Sequence, residues 1–520
     1  MSLPLLLLAS PTLAQQPLPA DRQDGAAAVT VADTRAWLGQ LASEEFGGRG
    51  TGEPGFQLAA DYVRDHFAAL GLEPGAGDGW FQDLPWAHSK PDIGNASLRF
   101  ARSSGQEVVI PGARLGGSVA DTLRCDGEVV VLVRPTEESV GEAELEGRVV
   151  VLLLGGGEAD RRGAGREVFS ALRLMQGKGA AALLFVAHGD VEEPLRERSG
   201  PTGGNRAARG RGMLPNRIDL GRADYQALLR LCGRDTDLPA GAHRLDVRAH
   251  IDVPVEQTPA PACNVVGVLR GSDPARRDEY VVIGSHLDHL GRSGDRFFPG
   301  ADDDGSGTTG VMAAAQMFAK NGTRPARSVL FVCFCGEERG LLGSRHFADN
   351  PPIPIESIVA ELQMDMIGRD EEEARDGRRL VNKGETAADN RNSLHVVGTT
   401  RLAPSLHELC LAANTRAGFD LEDDHEDMFG RSDHANFARL GVPVAFFFTG
   451  LHRDYHQESD TPDKIHYEKL LRVATYVYDI GFSLAQAEDR PHVDPELWRE
   501  YRGKGRREPA APLLGEGDGR

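Results

Sequence analysis

Between residues 263 and 448 the chain sets nearly uninterrupted apolar runs among stretches of helical period, and this alternation restricts the fold more than any other feature. The runs are NVVGVLRG, YVVIGSH, SVLFVCFC, IVAELQMDM and PVAFFF. Between and after them come TTGVMAAAQMFAK, GLLGSRHFA, SLHELCLAANTRAG and the terminal YEKLLRVATYVYDIGFSLAQA. A strand with no polar face has to be covered on both sides. The expected fold is therefore α/β, a three-layer αβα sandwich on a mixed, mostly parallel sheet.

The texture differs upstream. Residues 34–73 hold two helical stretches around the turn GGRGTG (47–52), and Gly71 marks a C-terminal stop. From 96 to about 250 short β runs take over (SLRFA, EVVI, EVVVLV, RVVVLLL), with glycine-rich loops at 154–165 and 199–212. The Pro-rich link VPVEQTPAPA then leads into the alternating part. This organisation predicts a main domain built from 25–95 and 255–490, with an inserted β-rich domain at 96–250. The charged stretch 368–393 reads as a solvated loop, and 491–520 as a tail, disordered from 503 onward.

Composition excludes some partners. The 78 acids against 58 bases give a net charge of −20, which argues against nucleic acid because phosphate binding needs a basic face. Leu3–Ala9 is too short an apolar run to span a membrane, and Thr12 and Ala14 fit a signal-peptidase site. Residues 1–14 are accordingly expected to be a signal peptide, and the protein to be exported, secreted or periplasmic. No later stretch reaches ~18 apolar residues, so no integral membrane segment is expected. The six cysteines lack any Cys-x-x-Cys spacing, and Cys333 and Cys335 face one side of a core strand.

Chemistry gathers where the apolar runs end, and in open α/β sheets sites form at the carboxyl ends of strands. YVVIGS ends in His286-Leu287-Asp288-His289, LFVCFC in Gly336-Glu337-Glu338, and VAELQM in Asp365. His456 follows PVAFFF, and the loop PGADDDGSG supplies Asp302, Asp303 and Asp304 ahead of a helix. Acids at the ends of buried strands lose solvation unless a cation compensates. Imidazole and carboxylate donors in this number suit zinc.

The motifs GSHLDHLG (284–291), PGADDDGSG, CGEERGLLGS (335–344), LQMDMIGR (362–369), GRSDHANFARLGVP (430–443) and DYHQESDTPDKI (454–465) occur in one order. In that order the chain resembles the zinc-dependent aminopeptidases of the bacterial leucyl aminopeptidase type. The wider superfamily also contains glutamate carboxypeptidases, glutaminyl cyclases and the transferrin receptor. Residues 96–250 resemble a protease-associated domain through EGRVVVLLL and ALRLMQGKGAAALLF.

The resemblance implies a metallo-exopeptidase with two Zn2+ ions per chain that removes N-terminal residues from peptides. It implies one ion on His286, Asp303 and Asp365, and the other on Asp303, Glu338 and His456, with Asp303 bridging. Asp288 would orient the His286 imidazole through its carboxylate. Glu337, pointing away from its neighbour, would be the general base. Tyr455 would donate to the oxyanion and Arg431 would arrange the substrate amine. With those places filled, His289, His425 and His452 are left outside the ligand set, while Asp433 and His434 hold their loop. A carboxypeptidase or a glutaminyl cyclase on the same fold are the rival activities, and a non-catalytic receptor-like protein the rival class.

Overall fold

The computed structural model describes residues 16–119, 121–154, 168, 170–175, 177–187, 189, 191, 194–201, 217–372, 386–422 and 426–503. The expected signal segment, most of both glycine-rich loops, 373–385, His425 and 504–520 lie outside the described residues. The chain divides into two compact units: Met1–Leu84 with Pro261–Arg520, and Pro85–Ala260.

The first unit is organised on one mixed sheet. Its strands run in the order Glu73–Pro74, Cys263–Leu269, Ser328–Phe334, Tyr280–His286, Ile358–Met364, Val444–Phe448, Ser393–Val397 and Asp420–Glu422. Ser328–Phe334, Tyr280–His286, Ile358–Met364 and Val444–Phe448 are mutually parallel, whereas Cys263–Leu269 pairs antiparallel to Ser328–Phe334 and Ser393–Val397 antiparallel to Val444–Phe448. Ser393–Val397 in turn pairs parallel with Asp420–Glu422 at the edge, so the sheet reverses direction once on each side of its parallel centre. Only 270–279 separate Cys263–Leu269 from Tyr280–His286, and a parallel return needs a crossover of about a dozen residues or more.

Every residue of the strands Tyr280–His286, Ser328–Phe334 and Ile358–Met364 is buried, because alternate side chains serve opposite faces. Val282, Leu330 and Val332 join a cluster with Phe347, Phe437 and Trp498. On the other face Phe331 meets Phe318 edge-on at 5.9 Å, within the helix Gly305–Lys320. A Cβ placed on Gly481 of the helix Tyr467–Gln486 would lie 3.2 Å from Ile283 Cδ1. Among the described residues no helix is long and apolar enough to cross a membrane.

Two elements depart from the sequence reading. Ser393–Val397 is a buried strand that the reading did not include, and it meets the stretch read as loop only at Ser393. Residues expected to begin a tail form the helix Pro495–Gly503, since Trp498 and Tyr501 supply an apolar face that packs on Phe429.

The second unit has its own eight-stranded sheet, ordered Glu107–Pro111, Ser97–Ala101, Gly241–Val253, Leu123–Val133, Val149–Leu153, Ala182–Val186, Arg217–Leu220 and Leu115–Ser118. Val129 and Val131 enter one core, and Val130 and Leu132 a second core on the opposite face. All six cysteines are unpaired.

Candidate metal centre

The carboxyl ends of the parallel strands in the first unit converge on one carboxylate. Of the three consecutive acids before the helix Gly305–Lys320, two are committed to backbone amides. Asp304 caps the helix by accepting from Gly307 N at 2.8 Å, and also accepts from His286 N and Met366 N at 3.1 Å. Asp302 accepts from Gly368 N at 2.7 Å and faces His452 Nε2 at 3.2 Å. Asp303 instead turns both oxygens to imidazoles. Its Oδ1 lies 3.2 Å from His286 Nε2 and its Oδ2 lies 3.1 Å from His456 Nε2.

Around this carboxylate stand the other donors. Asp365 Oδ1 is 3.6 Å from His286 Nε2, and Glu338 Oε2 is 3.1 Å from His456 Nε2. Glu337, the neighbour of Glu338, points to the other side, with Oε2 at 4.0 Å from His286 Nε2. Adjacent side chains on the turn after Ser328–Phe334 thus serve the two histidines separately. His456 holds a left-handed backbone, φ 57°, which costs a non-glycine residue on the order of 1 kcal/mol and is a mark of functional sites.

Asp288 is close by but acts through another atom than expected. Its backbone carbonyl accepts from His286 Nδ1 at 2.9 Å, while its carboxylate is 3.9 Å away. That carboxylate accepts instead from Thr51 Oγ1 at 2.7 Å and from Glu337 N at 3.1 Å, so it fixes the Glu337 turn. With the carboxylate taken up by Thr51 and the Glu337 amide, the carbonyl is the Asp288 group that meets the imidazole. Tyr455 stacks on the His456 ring at 3.8 Å, and its hydroxyl accepts from Arg431 Nη2 at 3.1 Å. His452 pairs with Asp302, and His434 is packed between Phe429 and Phe446.

One residue that the sequence reading set aside stands inside the cluster. His289 is fully buried, with Nδ1 2.8 Å from Glu338 Oε1 and 3.7 Å from Asp303 Oδ2. The signal was a second imidazole three residues after His286 on the same strand end.

Electrostatics shows how much positive charge this cluster demands. Burial opposes a proton on His456, yet Asp303 and Glu338 raise its pKa to about 10. Burial and Asp303 push Glu338 up, and the histidines His289 and His456 outweigh them to hold it at about 2. Burial raises Glu337 well above the usual carboxylate range. Among the described residues, Glu338 Oε1 and both ring nitrogens of His289 have no aligned hydrogen-bond partner. Orphaned buried donors and acceptors are costly, and a set of carboxylates and imidazoles facing one another suits divalent cations. His286–Asp303–Asp365 and His289–Asp303–Glu338 each bring one ligand atom per residue within 4.8 Å.

Residues 264–480 match Peptidase family M28. The M28 segment contains every residue of the cluster, from His286 to His456. The probable leucine aminopeptidase of Arthroderma otae is 28% identical over 228 residues, 42% of this chain and 58% of that protein. Leucine aminopeptidase 1 of Coccidioides posadasii is 30% identical over 228 residues, 41% of this chain and 55% of that one. The chain thus spans somewhat over half the length of the curated relatives it matches. Among solved structures, the aminopeptidase from Aneurinibacillus sp. strain AM-1 aligns over 92% of this chain and 98% of its own, with TM-score 0.52 at 19% identity. That likeness is one of fold.

Proposed function

We propose that this chain is a zinc-dependent aminopeptidase whose residues would hold two ions, with Asp303 as the donor common to both. The observation that carries the reading is the Asp303 carboxylate, whose two oxygens each meet a different imidazole, the buried His286 and the half-buried His456. His286 and Asp365 would complete one position, Glu338 and His456 the other. A zinc pair held there supplies Lewis acidity to a water and to the scissile carbonyl.

The residues of this chain account for the rest. Glu337 would take the water's proton on its carboxylate and deliver it to the leaving nitrogen. Asp288 keeps it in register through the Glu337 amide. The phenol of Tyr455, held by Arg431, would donate to the developing oxyanion.

An aminopeptidase is favoured over a carboxypeptidase, which would need a pair of cations for the substrate carboxylate. Of the three arginines near the motifs, Arg369 is held by Asp454, Arg431 donates to the Tyr455 hydroxyl, and Arg292 meets the exposed Glu44 at 3.5 Å. The names of the fungal relatives point the same way. We also read the protein as exported, its mature chain beginning at Gln15, and the unit Pro85–Ala260 as a protease-associated domain. The test is a chelator titration with 1,10-phenanthroline. Loss of aminoacyl-anilide hydrolysis and its recovery at two zincs per chain are expected. Full activity in metal-free protein would overturn the mechanism, a plateau at one zinc would favour a cyclase, and faster cleavage of dipeptides with blocked amines a carboxypeptidase.

A further inference from the structure

Three imidazoles border the shared carboxylates, and the two-ion reading uses only two of them. His289 is the third. It is wholly buried, and its Nδ1 lies 2.8 Å from Glu338 Oε1 and 3.7 Å from Asp303 Oδ2. His456 approaches the same two carboxylates from another side, with Nε2 3.1 Å from Glu338 Oε2 and from Asp303 Oδ2. The two rings stand edge to face with centroids 5.8 Å apart. Donors bound at about 2.0–2.2 Å around a tetrahedral ion lie a little over 3 Å from one another, which these separations bracket.

The direction of the ring is as telling as its distance. Although Glu338 Oε1 is at 2.8 Å, the pair makes no aligned hydrogen bond, and both atoms are left without one among the described residues. The ring is not free to swing into alignment. Its backbone amide donates to Arg49 O at 3.2 Å, and it lies so close to Gly300 that a Cβ there would come within 2.5 Å of its Cγ and Cδ2. Nδ1 and Glu338 Oε1, neither in an aligned hydrogen bond, stand with an Asp303 oxygen as three ligand atoms within 4.8 Å of one another, inside the reach of one ion.

We propose that His289, through Nδ1, is a fourth protein ligand to the ion held by Asp303, Glu338 and His456. The proposal rests on the two-ion reading and refines it. The two positions become unequal: two nitrogens and two oxygens on the His456 side, one nitrogen and two oxygens on the His286 side. Four protein donors close a tetrahedral zinc position, whereas three leave one place open. The ion on the His456 side should therefore bind first and leave last, and the exchangeable ion should be the one beside Glu337.

The decisive measurement uses the wild-type chain loaded with two equivalents of Co2+. Proton NMR of this paramagnetic form displays the exchangeable ring N–H of each metal-bound histidine. Three such signals are expected, from His286, His289 and His456; two would overturn the proposal. Competition with a chromophoric chelator adds the affinities. Wild type should show two classes of zinc site, and His289→Asn should weaken the tighter class by roughly 100-fold or more while still reaching two zincs at saturation. An unchanged tight class, or a Co2+ absorption spectrum identical to wild type in His289→Asn, would make the ring a packing group and sink the proposal. Wild-type protein that saturates below two zincs would instead refute the two-ion reading itself, a separate result. Should His289→Asn fail to fold, the NMR count on the unaltered chain still decides.

Discussion

Glu337 and Glu338 are adjacent residues whose carboxylates meet different histidines, and substitutions that keep their shape separate what each does. On the proposed mechanism Glu337→Gln would remove the proton acceptor and leave the donors Asp303, Glu338 and His456 untouched. Zinc content should stay near two, KM should move little, and kcat should fall by roughly 10²–10⁴. Glu338→Gln strikes a donor, so metal should be lost together with activity and excess zinc should partly restore both. Metal analysis by mass spectrometry beside steady-state kinetics distinguishes them; metal loss in Glu337→Gln alone would exchange the roles. A third residue tests burial rather than catalysis. Burial lowers the His434 pKa to about 3, so the folded protein keeps this ring neutral while the unfolded chain takes up a proton below about 6.5. Its contribution is thus present above pH 6.5 and fades as the pH falls toward 3. Between pH 7 and 5 this costs about 2 kcal/mol. Urea unfolding of His434→Phe, which keeps the stack on Phe446, should show a loss smaller by that amount. At this scale the sequence revealed which residue types end the strands, because polar groups interrupt apolar runs. It could not reveal that His289 is pinned by Gly300, or that Asp288 serves His286 by its carbonyl. Both depend on how the chain turns after His286 and on a partner in another loop.

The elements bearing these donors are tied together by a residue that is not itself a donor. Arg49, fully buried in a left-handed conformation after the helix Val31–Leu41, donates to the carbonyls of Leu41, Leu287, Pro299 and Gly300 at 2.7–2.8 Å. Its guanidinium closes the helix end, the HLDH turn and the loop before Asp302 into one joint. Removing it leaves buried carbonyls without donors and strips the nearby acids of a compensating charge. Arg49→Met should therefore lower stability by about 3–5 kcal/mol and loosen zinc, read as the urea midpoint and the chelator-competition constant. Arg49→Lys keeps the charge but cannot reach four acceptors, and should recover only part of the loss. An unchanged zinc affinity in Arg49→Met would show that the joint does not position the donors. Central strands were legible because a wholly apolar run of five to seven residues has few other places to go. The antiparallel edges and the helix Pro495–Gly503 were not. The first is decided by connection length, the second by a Trp498–Tyr501 pair whose significance appears only once Phe429 is in place.

For the whole molecule the question is what the unit Pro85–Ala260 adds. The inserted unit has a sheet buried on both faces by its own two cores, so it possesses what independent folding requires. In the other unit, the chain ends that flank the insertion are already neighbours: Leu84 N donates to Ala262 O at 2.8 Å, and Asp83 pairs with Cys263 in an antiparallel ladder. Two antiparallel strands in register need only a tight turn to join them. Replacing Pro85–Ala260 by a short Asn-Gly turn should thus leave a chain that unfolds cooperatively and binds zinc as the full-length protein does. The switch near residue 255 from short β runs with glycine-rich loops to strands alternating with helices made the division visible in the sequence. What the insertion does for catalysis was not visible, because a role in selecting substrate leaves no periodicity. If it selects among longer peptides, the shortened chain should cleave aminoacyl anilides nearly as well as the full-length protein while its ranking of tetra- and hexapeptides changes. Parallel kcat/KM series on both substrate classes decide the matter. Equal losses on anilides and peptides would mean that the insertion supports the fold of the catalytic unit, and unchanged rankings that it acts on neither substrate.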